Sequence, residues 1–388
     1  MVDREGTVAP EITRRSFLAR AGLTAAGLAA GAVLADTLTA SSPAFAATWW
    51  VPGEDVTHER TWMSWPSSRS IWGNALLPKI QNDVATLARE IANYEPVIMC
   101  ADGSMAAATA RTMCGSTVTV IGSIPVNDCW MRDTGPLFRT NGAGGRDAIG
   151  LNFNGWGAKQ VHGKDEHAAE RVASYVEVPR FKTASLVGEG GGIEYDGDGT
   201  LLATESSWVN PNRNPGKTKQ RIKAELLSRF GATKMIWVSK GIKGQDITDD
   251  HVDSTSRFVR PGVVMVQLPP PGRTDVWAQD AREQFSTLSG ATDAKGRRLQ
   301  VLTVEGPDTL PRWPQNRWDT FLDSYVNWVV TNSSVITAQF GDSAKDAAAR
   351  SAIGAAFPGK TVVQLNLDQL HGEGGGGAHC VTMQEPLP

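Results

Sequence analysis

Four cysteines in 388 residues, Cys100, Cys114, Cys129 and Cys380, are too few for a disulfide-dense scaffold. Cys100, Cys114 and Cys129 read as small buried hydrophobes, which leaves Cys380 as the thiol of interest. No lysine/arginine block of the kind that tracks phosphates is present and the formal net charge is −3, so nucleic acid is not the expected partner. An apolar run of roughly 20 residues, the length a spanning helix requires, is also missing, so no stable membrane anchor is expected. No Pro/Ser-rich linker divides the chain after its first segment. With 41% hydrophobic and 20% charged residues, residues 47–388 read as a single globular domain.

The first segment stands apart. Thr13-Arg-Arg-Ser-Phe-Leu-Ala19 is followed by an Ala/Gly/Leu stretch and by Ala44-Phe-Ala46. A charged start, a modest apolar run and a small-residue cleavage site describe a twin-arginine signal peptide over residues 1–46. The rival reading, an N-terminal anchor, does not account for the cleavage site. The mature chain is expected to begin near Ala47 and, after export by the twin-arginine machinery, to work in the cell envelope or outside the cell.

Downstream, periodicity gives an α/β chain. Trp62 to Pro66 reads as a strand, and Leu77 to Tyr94 as a helix with Ile80, Val84, Leu87 and Ile91 on one face. Pro96–Cys100 and Thr117–Ile121 read as strands, with a helix over Ala106–Met113 between them. Asp-Gly turns place a hairpin at Tyr195–Ala203. A helix over Thr218–Phe230 stops at Gly231, and a strand follows at Met235–Ser239. Phe258–Leu268 reads as two strands around Pro261-Gly262. Pro269–Pro314 reads as loop with one helix, Ala281–Leu288. Paired strands at Val326–Val330 and Ser334–Phe340, a helix at Ala344–Phe357 and a strand at Thr361–Leu365 complete the pattern.

Chemistry concentrates in a few places. His371-Gly-Glu-Gly-Gly-Gly-Gly-Ala-His-Cys380 sets a cysteine after a glycine run that allows tight turning and close approach, a pattern suited to a nucleophile. Asp128-Cys-Trp-Met-Arg-Asp-Thr-Gly-Pro136 combines a stacking face with charge, the rival being a structural Arg132–Asp133 ion pair. Gly188-Glu-Gly-Gly-Gly192 echoes Gly372-Glu-Gly-Gly-Gly376, a hint of recurring modules. Asp249-Asp-His-Val-Asp253 crowds acids around one histidine. Metal binding is the rival there, but nothing nearby completes a ligand shell.

Five motifs in this order carry a resemblance: Asn127-Asp-Cys-Trp-Met-Arg-Asp-Thr-Gly-Pro136, Glu189-Gly-Gly191, Asn210-Pro-Asn-Arg-Asn-Pro215, His251-Val-Asp253 and Gly375-Gly-Gly-Ala-His-Cys380. With Thr61-Trp-Met-Ser-Trp-Pro66, the chain resembles the guanidino-group-modifying superfamily, most closely the agmatine deiminases and Porphyromonas-type peptidylarginine deiminases. The resemblance implies a pentein fold, a five-bladed pseudo-symmetric α/β propeller of ββαβ-type modules. It implies Cys380 as nucleophile and His251 as proton shuttle. Asp133 and Asp253 would grip the guanidinium, and Glu189 would bind it alongside His251. No cofactor or metal is implied, and related deiminases often pair as homodimers.

The chemistry fits those residue types independently. A guanidinium carbon is a poor electrophile that must be held still and met by a strong nucleophile, and paired carboxylates match its planar N–H groups. Trp130 and Trp156 can stack on the cation or shield it, or serve as core aromatics. His379 reads as structural, and the C-terminal glycines as shaping the backbone. Two departures from the family pattern bear on substrate: Asp250 stands where glycine precedes the histidine, adding a negative charge beside His251, and Gly377-Ala378 replaces Asn-Ile. The expected substrate is agmatine, giving N-carbamoylputrescine and ammonia in polyamine (putrescine) synthesis. Peptidyl-arginine is the alternative for an exported enzyme. A non-catalytic guanidine binder is the third reading, and it has no need of the Cys/His/carboxylate set.

Overall fold

The computed structural model describes residues 49–179 and 181–388; the twin-arginine motif and the Ala44-Phe-Ala46 cleavage site lie outside the described residues. Among the described residues, sixteen strands are arranged in five sheets. The first sheet contains β1 (His58–Ser64), β2 (Val97–Cys100) and β3 (Val118–Ile121). The second is β4 (Leu137–Thr140), β5 (Arg146–Gly150) and β6 (Phe181–Thr183); the third is β7 (Glu194–Tyr195), β8 (Thr200–Ala203) and β9 (Lys234–Trp237). The fourth is β10 (Ser256–Arg260), β11 (Val263–Leu268) and β12 (Gln300–Glu305). The fifth is β13 (Val329–Val330), β14 (Ser334–Ala338) and β15 (Thr361–Leu365). The last strand, β16 (Thr382–Pro386), returns to the first sheet and pairs antiparallel with β1, setting Met383 opposite Trp62.

Every sheet repeats one pattern: an antiparallel pair, then a strand added parallel to the second member. Parallel neighbours cannot be joined by a tight turn, and each such pair is bridged by a crossover that contains a helix. The helices are Arg69–Ile91, Ala168–Tyr175, Lys219–Phe230, Val276–Gly290 and Ser343–Ala356, with Gly103–Cys114 leading on to β3. Their apolar faces pack on the sheets. Ile80, Val84, Leu87 and Ile91 are fully buried, and Ile222, Leu226 and Phe230 join a core with Leu201 and Tyr195. Among the described residues, no helix is long and apolar enough to cross a membrane.

The α/β expectation therefore holds, with local corrections. The first helix starts at Arg69 rather than Leu77: Gly73, at φ +66°, bends it, and Pro78 is carried inside it. The Pro269–Pro314 segment is not loop plus one helix, since it contains β12, which pairs in register with β11 from Val263 to Leu268. Cys100, Cys114 and Cys129 are buried free thiols, as expected of small hydrophobes. The two glycine-rich echoes differ in form. Gly190–Gly192 is a 3-10 turn, whereas Leu370–Gly374 is a wider π turn.

Candidate active site

Functional side chains cluster just ahead of the antiparallel pairs. Asp133 lies in a helical turn, Met131–Thr134, before β4, and Glu189 precedes the Gly190–Gly192 turn before β7. His251 caps the Val252–Ser254 turn that carries Asp253 before β10, and Cys380 stands two residues ahead of β16. Four of these side chains, Asp133, His251, Asp253 and Cys380, line one cavity of about 830 Å³, together with Trp130 and Trp156.

Gly191 marks the point where they meet. A Cβ placed there would lie 2.7 Å from His251 Nδ1, 2.9 Å from Asp253 Oδ2 and 3.0 Å from Asp133 Oδ1. Its own N–H donates to Asp133 Oδ1 at 3.0 Å, and Trp156 Nε1 donates to Asp133 Oδ2 at 2.9 Å. Across the site, Cys380 Sγ is 3.8 Å from Asp253 Oδ2. Asp253 is braced from behind: His379 Nδ1 lies 2.7 Å from its Oδ2, and His379 Nε2 lies 2.8 Å from Glu54 Oε1. Glu54 is held in turn by Arg257 at 2.6 Å and Arg132 at 3.1 Å. His379 thus fixes the carboxylate beside the thiol.

Some expectations are redrawn. Arg132 does not pair with Asp133; its guanidinium turns to Glu54 and Gln384. Glu189 does not line the cavity. Its two oxygens take Arg213 Nε at 2.8 and 2.9 Å, and one also meets His251 Nε2 at 3.3 Å. In this structure Glu189 therefore reaches the imidazole rather than the space a substrate would fill. Asp250 lines the same cavity as His251, but its carboxyl is engaged elsewhere. Its buried carboxyl turns to the Ile242 N–H at 3.1 Å, and burial with Asp280 and Asp246 nearby pushes its pKa well up, towards the neutral acid. Asp250 also adopts φ +71°, the left-handed region where glycine is at ease. Asp249, the third acid of the patch, is tied to Arg213 at 2.7 Å and Lys159 at 2.8 Å. These carboxylates diverge instead of converging on an ion. Among the described residues the carboxylate–histidine grouping with ligand-like spacing is Glu54, Glu194 and His379, and Arg257 already bridges its two glutamates.

Charge in the cavity is finely opposed. Burial disfavours protonation of His251, but Asp133, Glu189 and Asp253 outweigh it and raise its pKa to about 9. The ring is therefore a cation at neutral pH. Burial, then Asp253 and Asp133, push the Cys380 thiol well up, which favours the protonated sulfur. Burial also raises Asp133, whereas at Asp253 the His379 contact overcomes burial and lowers the pKa. A planar cation between the two carboxylates would offset the part of that shift that Asp253 and Asp133 contribute.

Trp130 and Trp156 both face the cavity, so neither is only a core aromatic. Asp128 positions the first wall, accepting from Trp72 Nε1 at 2.7 Å and Trp130 Nε1 at 2.9 Å. Gly376 lies beneath Trp130, where a Cβ would approach the ring to 2.3 Å, so this glycine admits the indole. Sequence reasoning gave no role to Glu54, Arg213 or Asn327. Arg213 falls inside the Asn210-Pro-Asn-Arg-Asn-Pro215 motif, but its bond to Glu189 spans 24 residues, and the contact of Asn327 with Cys380 spans 53. No local pattern announces either.

The comparisons agree with this geometry. Residues 50–386 match the model of the Porphyromonas-type peptidyl-arginine deiminases. An agmatine deiminase of Pseudomonas aeruginosa (strain LESB58) is 33% identical over 87% of this chain and 95% of its own length. That of Medicago truncatula is 32% identical, covering 87% and 96%. The solved structure of the Enterococcus faecalis agmatine deiminase superposes with a TM-score of 0.79 at 28% identity, over 88% of this chain and 96% of that one. By sequence along nearly its whole described length, and by fold, the chain belongs to the Porphyromonas-type peptidyl-arginine deiminase family.

Proposed function

We propose that the chain hydrolyses the C–N bond of a guanidino group, converting agmatine to N-carbamoylputrescine and ammonia. The observation that carries this reading is the convergence of Asp133, Asp253 and His251 around Gly191, with Cys380 facing the same cavity. The guanidinium lies between Asp133 and Asp253, which hold it through paired N–H···O bonds and neutralise the field opposing thiolate formation. The Cys380 thiol gives up its proton to solvent, and the thiolate sulfur bonds to the guanidinium carbon. One C–N bond breaks, and the nitrogen leaves as ammonia with a proton from the His251 imidazolium. The resulting thiouronium is attacked by water, one of whose protons passes to His251; as the C–S bond breaks and thiolate departs, the remaining hydroxyl proton is lost to solvent and the ureido product is released. Glu189 acts on this sequence by holding His251 in its protonated form and orientation. Trp130 and Trp156 shield the cation from water.

A second reading, peptidyl-arginine to peptidyl-citrulline, draws support from the size of the cavity. About 830 Å³ lies in the upper range of pockets that bury drug-sized ligands, well beyond what agmatine fills. Ammonia release from agmatine, free arginine and a blocked arginyl peptide, measured in parallel, separates the two. Agmatine turnover with an inert peptide supports the first, the reverse supports the second, and Cys380→Ser that still releases ammonia rejects both.

We further infer that the five sheets form the blades of a pseudo-symmetric five-bladed propeller around this cavity. The repeated strand order and the return of β16 to β1 support it. Residues 1–46 are read as a twin-arginine signal, which places the mature domain, residues 47–388, in the envelope or outside the cell. Detection of a mature N-terminus near Ala47 in the exported fraction tests this. Pairing into a homodimer is tested by the mass of the purified protein in solution.

A further inference from the structure

Behind the cavity wall lies a second charged cluster that the reaction scheme does not use. Its centre is Glu54, four residues ahead of β1. Glu54 Oε2 takes Arg257 Nη2 at 2.6 Å, while Oε1 takes Arg132 Nη1 at 3.1 Å and faces His379 Nε2 at 2.8 Å. Both arginines and the histidine are buried. The backbone here is fixed by the turn between β7 and β8, which presses so closely that a Cβ at Gly197 would come within 2.2 Å of the Gly53 nitrogen. Burial alone would raise the Glu54 pKa, but Arg257, Arg132 and His379 outweigh it and hold the carboxyl well below the usual carboxylate range.

His379 passes this anchor on to the reacting groups. Its Nδ1 lies 2.7 Å from Asp253 Oδ2, the oxygen that stands 3.8 Å from Cys380 Sγ. Bare nitrogen and oxygen lone pairs do not approach so closely, so a proton lies in each gap, one on either side of the ring. The imidazole is thereby held at both ends, and Asp253 Oδ2 is held with it. Neither Glu54 nor His379 lines the cavity, so neither reaches a substrate there. What the pair can fix is the direction of the Asp253 carboxylate. An amide in place of the Glu54 carboxylate cannot keep the arrangement, because its NH2 would meet either Arg257 or Arg132, and a guanidinium has no acceptor to offer.

We propose that Glu54 is a positioning residue, which through His379 holds the Asp253 carboxylate where it grips a guanidinium beside Cys380. The proposal rests on the reading of Asp253 as a substrate-gripping carboxylate, and its test separates the two. Glu54→Gln and His379→Asn are made singly and together, and kcat/KM is measured for the guanidine that the wild type turns over fastest. Asparagine keeps a donor for Asp253 but cannot span to Glu54, so it uncouples the pair. Residues that act through one another are non-additive. Glu54→Gln is therefore expected to lower kcat/KM about tenfold or more when His379 is present, and by about twofold or less in the His379→Asn background. Calorimetric titration of the Cys380→Ser protein with the same guanidine is expected to show the same pattern in Kd, without turnover. Equal factors in both backgrounds would mean that Glu54 acts through its arginines or the fold, and would overturn the proposal, as would a Glu54→Gln enzyme equal to wild type. Where Glu54→Gln does not fold, Glu54→Asp carries the same prediction, since it keeps the charge for both arginines but draws the carboxylate one methylene back from His379. His379→Gln supplies the uncoupled background where His379→Asn does not fold. Failure of the wild type to release ammonia from any guanidine, or retained turnover in Cys380→Ser, rejects the underlying function instead.

Discussion

Gly191 shows how little space the site leaves. Any side chain there must displace His251, Asp253 or Asp133, and a shift of about 1 Å in a reacting constellation costs on the order of a hundredfold in rate. Gly191→Ala should therefore lower kcat/KM by about two orders of magnitude with the melting temperature nearly unchanged. Steady-state kinetics beside a thermal melt checks both. Arg213 presents the opposite case. It is fully buried between Glu189 and Asp249, and Arg213→Ala would remove their shared guanidinium, leaving only His251 to face Glu189 and Lys159 to face Asp249. Breaking such a pair costs about 3–5 kcal/mol, read as a lower midpoint in urea denaturation, and His251 loses its oriented partner at the same time.

At the level of elements, what was legible in the sequence follows from physical range. The helix Lys219–Phe230 announces itself locally: Thr218 accepts from the Arg221 N–H, apolar residues recur on one face, and Gly231 ends it at φ +65°. Gly231→Ala forces a side chain into that conformation and to 2.1 Å from the Trp49 carbonyl. The variant should melt several degrees lower while kcat measured at room temperature stays near wild type. Strands β6, with three residues, and β16, which contains Gln384, Glu385 and Pro386, carry no alternating apolar pattern and are made by their neighbours. The same division holds in the site. Cys380, His251, Asp133 and Asp253 stand in dense motifs, whereas Glu54 and Asn327 are ordinary residues in sequence that acquire meaning only where distant segments meet. For Asp250 the sequence carries a charge but not the direction of its carboxyl, which turns to Ile242.

Over the whole molecule, the pair formed by β1 and β16 joins the two ends of the described chain and fixes the height of Cys380 in the cavity. The charge balance within the cavity sets how the molecule responds to pH. His251 has its pKa raised to about 9 by Asp133, Glu189 and Asp253 despite burial, from an ordinary value near 6.5. Its protonated form therefore stabilises the fold fully below about pH 6.5, and that contribution is lost as pH rises through about 9. The substrate-free protein should melt progressively lower across that window. His251→Gln should flatten the slope; an unchanged slope would place the titrating group elsewhere. The central claim concerns one bond, between Cys380 sulfur and a guanidinium carbon. Acid-quenching the enzyme during turnover of its fastest guanidine and weighing the Cys380 peptide tests it directly. A peptide heavier by the substrate less ammonia is predicted, absent when substrate is omitted. An unmodified Cys380 peptide at every quench time while ammonia is released, or an adduct on another residue, would contradict it.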